Sequence, residues 1–356
     1  MHISFMAVPE HGHINPGLPL VTELVARGHR VSYATTDKFA DLVENAGATA
    51  LLHTTTFPER MPEDGEAGTR MFVDEFNAVT PQIEALYADD RPDVIVCDIG
   101  AFQGPVLADR WGIPVVQLSA SYIAIPGSDA DDFPAFVAAY GIPPALLTPR
   151  PCLVAMPRSF QFDAPAVDGA FTFVGPMGSP EPWPAPDDRP VLLISLGSSY
   201  TDRPDFFRAC LAAFADNGWH VEMAVGRFVE PADLGPLPAN FVVRQWVPQA
   251  SILTRASAFI THAGMGGVME ALAQGVPLIA VPQAVDQLLT GPRIEELGLG
   301  RHIPRDEVTV DRLRQALHEV ATDSEIAANL KRIQQEIVAS GGVRRAADIV
   351  ESQVEG

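Results

Sequence analysis

Cysteine is scarce: Cys97, Cys152 and Cys210 are the only three in 356 residues. An odd, widely spaced set fits neither a disulfide framework nor a zinc-ligand spacing, so a reducing compartment is expected and each thiol reads as a small buried hydrophobe. Positive charge is scarce too. Lys and Arg number 24 against 45 Asp and Glu, a net charge of −21. That balance excludes the basic stripe a nucleic-acid backbone demands and argues against an anionic membrane surface. No apolar run reaches the roughly 18–20 residues of a membrane helix. The start, Met1-His2-Ile3-Ser4-Phe5, has no basic leader or cleavage site, so no signal peptide and a soluble, cytoplasmic protein are expected. Low-complexity tracts and short tandem repeats are absent as well.

What is present suits a folded chain of two domains. The hydrophobic fraction is 47% and the charged fraction 19%, while single cores stop growing near roughly 250–300 residues. Short apolar runs alternate with amphipathic stretches, the pattern of an α/β protein with parallel sheets. Ile3–Val8, Arg30–Thr35, Val94–Cys97 and Val115–Leu118 read as strands, with Leu18–Arg27 and Phe102–Trp111 as helices. The strands are apolar throughout, as expected when both faces of a sheet are covered. From Gly175 to Pro186 the chain is too rich in Pro and Gly for helix or central strand, and reads as a stiff linker. Beyond it the pattern restarts at Val191–Leu196, followed by a helix at Pro204–Asp216 and strands at Val221–Val225, Val242–Arg244, Phe259–Thr261 and Leu278–Ala280. The expectation is an α/β protein of two doubly wound, Rossmann-like domains facing across a cleft. Residues 1–175 form the first, 176–189 the Pro-rich linker and 190–340 the second.

Three segments of the second half carry chemistry. Thr261-His262-Ala263-Gly264-Met265-Gly266-Gly267-Val268-Met269-Glu270 leaves a strand through glycines and enters a helix. Free N–H groups and the helix N-terminus there attract a diphosphate, His262 can add a donor, and Glu270 can accept from ribose hydroxyls. Position 269 lacks the third glycine of a dinucleotide fingerprint, and no Walker-type lysine follows. Upstream, Trp246 ends a strand before the turn Val247-Pro248-Gln249, offering a flat face for a base. Downstream, Val281-Pro282-Gln283-Ala284-Val285-Asp286-Gln287 places a carboxylate and an amide together, a pair suited to sugar hydroxyls. Each alone reads equally as an ordinary turn, a core indole or surface polarity; their order as base platform, phosphate turn and hydroxyl grip points to a nucleotide sugar.

In the first half, His11-Gly12-His13-Ile14-Asn15-Pro16 follows the first strand and Asp98 follows Val94–Cys97, so both emerge at one sheet edge. Imidazole is a general base of near-neutral pKa, and a carboxylate can orient it. Taken alone, Asp98 also reads as a helix cap and either histidine as a loop donor.

These segments, with Leu24-Val25-Ala26-Arg27-Gly28-His29-Arg30-Val31 and Gly342-Val343-Arg344-Arg345-Ala346-Ala347-Asp348, resemble family 1 glycosyltransferases of the GT-B fold. Within that family the chain is most similar to the bacterial macrolide enzymes of the oleandomycin type, over nearly its whole length. The resemblance implies His13, rather than His11, as catalytic base and Asp98 as its partner. It implies donor contacts from Ser198, Trp246, Gln249, His262, Gly264, Gly266, Gly267, Val268, Glu270, Asp286 and Gln287. It also implies that residues 341–356 return to the first domain as a helix. Where relatives often carry Asn-Ser or Gly-Ser, this chain has Gly266-Gly267-Val268, so phosphate contacts rest more on backbone N–H groups.

The implied reaction is an inverting transfer of a hexose, glucose, from UDP-glucose to an apolar acceptor hydroxyl. It needs no cofactor and no metal, because the helix N-terminus does what a metal ion does elsewhere. Asp129-Ala130-Asp131 has the form of a metal-gripping Asp-x-Asp but reads as an acidic surface loop. Acceptor-side candidates are Met71, Phe72 and Phe76 on one helical face, which reads equally as core, and Tyr122, Ile123, Phe133 and Phe136. The segment between Leu118 and the strand near Leu153 is shorter than in macrolide enzymes, implying an open, permissive site for a macrolide, polyketide or phenolic. The expected partners are the nucleotide sugar and a small-molecule acceptor, with the chain a monomer or homodimer. Two rival functions share the donor site: a GT-B nucleotide-sugar epimerase and a non-catalytic sugar-nucleotide-binding protein.

Overall fold

The computed structural model describes residues 1–58, 65–123, 132–162, 169–284 and 286–354, except for the side chains of residues 65, 66, 69, 132 and 133. The chain divides into two units, Met1–Gly178 with Ile337–Gly356, and Ser179–Glu336.

Seven strands build the sheet of the first unit: β1 (His2–Met6), β2 (Arg30–Thr35), β3 (Thr49–Leu52), β4 (Val94–Asp98), β5 (Val115–Ser119), β6 (Cys152–Val154) and β7 (Phe171–Phe173). Their order is β3-β2-β1-β4-β5-β6-β7, and each pairing is parallel. Helices α1 (His11–Ile14), α2 (Leu18–Ala26), α3 (Ala40–Asn45), α4 (Gly65–Leu86), α5 (Gln103–Trp111) and α6 (Asp132–Ala139) connect them. Every residue of β1 and β4 is buried, because side chains alternate and both faces are covered. Phe5, Tyr33 and Val96 share a core with Leu20, Val21 and Leu24 of α2. Met6, Ala34 and Cys97 point the other way, into a core with Val79 and Ile83 of α4 and Leu107 of α5.

In the second unit β8 (Val191–Ser195), β9 (His220–Ala224), β10 (Phe241–Arg244), β11 (Ala256–Thr261), β12 (Leu278–Ala280) and β13 (Gly300–His302) lie in the order β10-β9-β8-β11-β12-β13. These strands also pair in parallel throughout. Helices α7 (Pro204–Phe214), α8 (Gln249–Leu253), α9 (Met265–Gln274), α10 (Gln287–Glu296), α11 (Val310–Thr322) and α12 (Ser324–Ala339) complete the pattern. Both sheets therefore reverse direction beside their first strand, between β1 and β4 and between β8 and β11. At such a switch point the loops after the two strands part and leave a crevice at the carboxyl ends.

No helix or strand lies between Phe173 and Val191. Met177 nonetheless packs into the first core, and the Trp183 N–H donates to Thr254 Oγ1 at 3.1 Å in the second unit. Helix α13 (Gly342–Ser352) buries Ala346, Ala347 and Val350 in the core of the first unit. Arg27, just beyond α2, clamps it with Nη1 2.7 Å from both Asp348 and Glu351, and His29 Nε2 lies 2.7 Å from Glu351.

Candidate active site

The first unit presents a histidine–aspartate pair at its switch point. β1 and β4 are neighbours, with Met6 opposite Cys97, so α1 after β1 and the end of β4 meet at the carboxyl edge. His13 Nδ1 lies 2.9 Å from Asp98 Oδ1, and the same oxygen accepts the Gly100 N–H at 2.8 Å. Asp98 is buried, whereas about a third of the His13 side chain, 35%, is exposed. A carboxylate only accepts, so Nδ1 carries the proton. The arrangement is an oriented, partly exposed imidazole. The other histidine of the segment, His11, packs edge-on against Phe39 at 4.9 Å between ring centres.

Apolar surface extends from this pair. Phe72 stands edge-on to His13 at 6.4 Å and to Phe57 at 5.5 Å. Phe102 lies 6.3 Å from Phe72 and 6.1 Å from Phe136. Phe57 comes from a loop that the sequence reading missed, clasped by the buried carboxylate of Glu75 on α4. Glu75 accepts from Thr55 Oγ1 at 2.8 Å and from Thr56 N and Oγ1 at 2.7 Å. Met71 and Phe72 are half-buried on the same helix. For Phe76 the core alternative holds: only 7% exposed, it packs with Val73, Val106 and Val137, supporting the aromatic surface rather than forming it. Tyr122 is also buried, stacked on Phe160 at 6.1 Å, and the Ile123 N–H donates to Gln161 Oε1 at 2.9 Å. The Phe133 side chain and Asp129-Ala130-Asp131 lie outside the described residues.

The second unit presents a glycine-rich turn at the equivalent point. Ser198 is exposed in the loop after β8, and His262 follows β11. The imidazole of His262 lies on bare backbone: a Cβ at Gly197 would come within 2.6 Å of it, and one at Gly264 within 2.3 Å of Nε2. Its Nδ1 is buried without a hydrogen-bond partner. Burial holds the pKa down at about 4, with a backbone group of Ser195 pulling the other way, so the ring is neutral at physiological pH. Gly264 caps α9, and the N–H groups of Met265, Gly266 and Gly267 open its first turn, where an anion is favoured. Val268 departs from the expected set. Its side chain is buried, and its N–H is spent on the Gly264 carbonyl at 3.1 Å.

Trp246 is 74% exposed, an indole whose face is left to solvent. Gln249 Nε2 donates to Glu270 Oε2 at 2.8 Å, which joins two of the expected residues over the first turns of α9. Burial pushes the Glu270 carboxyl up from its ordinary range, against that hydrogen bond. Asp286 precedes α10, and Gln287 opens it. Gln287 Oε1 already accepts the N–H groups of Gln283 at 3.0 Å and Ala284 at 3.2 Å, so its remaining polar group is the Nε2 donor. Val285, between them, lies outside the described residues. Among the described residues no helix is long and apolar enough to cross a membrane.

Comparison with known proteins places these geometries. The family described as Erythromycin biosynthesis protein CIII-like, C-terminal domain, matches residues 210–352. The chain is 38% identical to NDP-glycosyltransferase YjiC of Bacillus subtilis (strain 168), covering 99% of this chain and 97% of that one. It is 38% identical to oleandomycin glycosyltransferase of Streptomyces antibioticus, covering 99% and 91%. Among solved structures, the glycotransferase of kitacinnamycin is 38% identical with a TM-score of 0.87, covering 99% of this chain and 98% of that one.

Proposed function

Because the chain belongs to the family 1 glycosyltransferases of GT-B fold that include the oleandomycin enzyme, we propose that it transfers a hexose, glucose, from UDP to an apolar acceptor. The acceptor is a macrolide, polyketide or phenolic hydroxyl, and the anomeric centre is inverted. The observation that carries this reading is the His13–Asp98 pair beside the aromatic surface of Phe72 and Phe57.

In the proposed step the acceptor oxygen attacks the anomeric carbon from the face opposite the nucleotide. His13 Nε2 takes the hydroxyl proton as the C–O bond forms. The bond to the β-phosphate oxygen breaks, and UDP leaves with its electron pair. Asp98 holds the Nδ1 proton in place and stabilises the imidazolium that forms. Trp246 stacks on the base, Glu270 accepts from the ribose, and the N–H groups of Met265, Gly266 and Gly267 receive the departing charge. Asp286 accepts from sugar hydroxyls, while Gln287 donates to them through Nε2. With these groups no metal ion is required.

The test is product mass. UDP-glucose and a generic phenolic acceptor should give the acceptor plus one hexose, undiminished by EDTA. Hexose transfer from dTDP-sugars alone would contradict the donor assignment. Activity lost to EDTA and restored by Mn²⁺ would contradict metal independence.

A further inference from the structure

We propose that Arg203 is a further donor-binding residue, the cation that receives the diphosphate of the nucleotide sugar; the inference rests on the donor half of the function proposed above. The strand that carries the His262 turn, β11, lies between β8 and β12. The loop after β8 ends at Arg203, the residue before α7, and the loop after β12 contains Gln283. Arg203 Nη1 donates to Gln283 Oε1 at 2.5 Å, so this contact joins the two loops that flank the phosphate turn.

Gln283 is a fixed post for that guanidinium. It is only 4% exposed, and its other polar groups are occupied. Its N–H donates to Gln287 Oε1 at 3.0 Å, its Nε2 to the Val281 carbonyl at 2.7 Å, and its carbonyl accepts from Arg305 Nη1 at 3.1 Å. The same hydrogen-bond chain therefore holds Arg203 and aims Gln287.

The partner of Arg203 is a neutral amide, which leaves the positive charge uncompensated. Among the described residues no carboxylate lies within ion-pair distance of it. A guanidinium carries five N–H donors in a planar fork suited to phosphate oxygens, and one of them is used on Gln283. The need for such a cation is local. The chain carries a net charge of −21, His262 is neutral, and the α9 terminus offers only partial charges. Half-buried placement strengthens an Arg–phosphate contact relative to water.

The experiment titrates wild type, Arg203→Gln and Arg203→Lys with UDP and with uridine, followed calorimetrically. A charge-assisted contact of this kind predicts that Arg203→Gln weakens UDP about tenfold to a hundredfold and leaves uridine within about twofold. Arg203→Lys, which keeps the charge without the fork, should fall between. Uridine binding doubles as the control that the variant is folded. UDP affinity unchanged in Arg203→Gln would overturn the proposal, and so would equal losses for UDP and uridine, which would make Arg203 a loop brace only. A wild-type protein that binds neither UDP nor dTDP would sink the donor reading itself, and this inference with it.

Discussion

His13 Nδ1 and Asp98 Oδ1 are 2.9 Å apart across the switch point of the first sheet, although 85 residues separate them in sequence. The contact fixes one tautomer. Nδ1 holds the proton because its partner can only accept. Gly100 adds a second donor to the same oxygen at 2.8 Å, so the carboxylate cannot swing away without breaking both bonds.

Replacing Asp98 by Asn should leave the shape and remove the charge. The Asn oxygen stays on the Gly100 N–H and still accepts from Nδ1, but a neutral amide stabilises the imidazolium far less than a carboxylate does. Transfer should slow by about a hundredfold or more, with the dissociation constant for UDP unchanged. Steady-state kinetics alongside calorimetry reads both quantities.

Trp246 is 74% exposed, so its indole contributes almost nothing to the core of the free protein. Trp246→Ala should keep the thermal midpoint within about a degree while weakening UDP about tenfold to a hundredfold, the range for one base–aromatic stack. Thermal melting with and without UDP separates the two effects.

His262 carries a pH prediction. Its pKa in the folded protein is lowered from the ordinary 6.5 to about 4 by burial. Between those values the unfolded chain binds a proton that the folded chain refuses, so stability falls as pH drops through that window. His262→Gln removes the term. Between pH 7 and pH 5 the wild type should lose about 1–2 kcal/mol more than the variant, on the basis of about 1.4 kcal/mol per pKa unit. His2 and His302, also lowered by burial, act equally in both proteins and cancel. Denaturant unfolding at the two pH values checks the difference.

Glu75 tests the acceptor side. Its buried carboxylate ties Thr55 and Thr56 to α4 through three hydrogen bonds, and that loop delivers Phe57. Glu75→Ala should raise the acceptor KM about tenfold or more with UDP affinity unchanged. A weakened UDP affinity with an unaltered acceptor KM would contradict this role.

The central strands were legible because burial on both faces leaves unbroken apolar runs, as in Val94–Cys97 and Val191–Leu196. The edge strands β3, Thr49–Leu52, and β13, Gly300–His302, were not. β3 is apolar at Ala50, Leu51 and Leu52 but only four residues long and nowhere fully buried, and β13 is Gly-Arg-His, so no periodic signal marks either. The turn after β11 could be read from its glycines; the ring of His262 leaves no room for a Cβ at Gly264. That Val268 spends its N–H on Gly264 follows from helix geometry and was not anticipated. Phe76 and Phe72 belong to one helical stripe in the sequence, and only packing against Val106 and Val137 separates core from surface. Glu75 with Thr55–Thr56, and Arg203 with Gln283, join residues some 20 and 80 positions apart. Pairs of that kind leave no local pattern.

The most direct test of the account is the single-turnover rate of His13→Ala with UDP-glucose and a phenolic acceptor. The expected result is a fall of about a hundredfold to ten-thousandfold, with UDP binding and thermal midpoint unchanged, because the residues proposed to bind the donor lie in the other unit. A variant that transfers within about threefold of the wild-type rate would show that the proton goes elsewhere, and the assignment of His13 as base would fail.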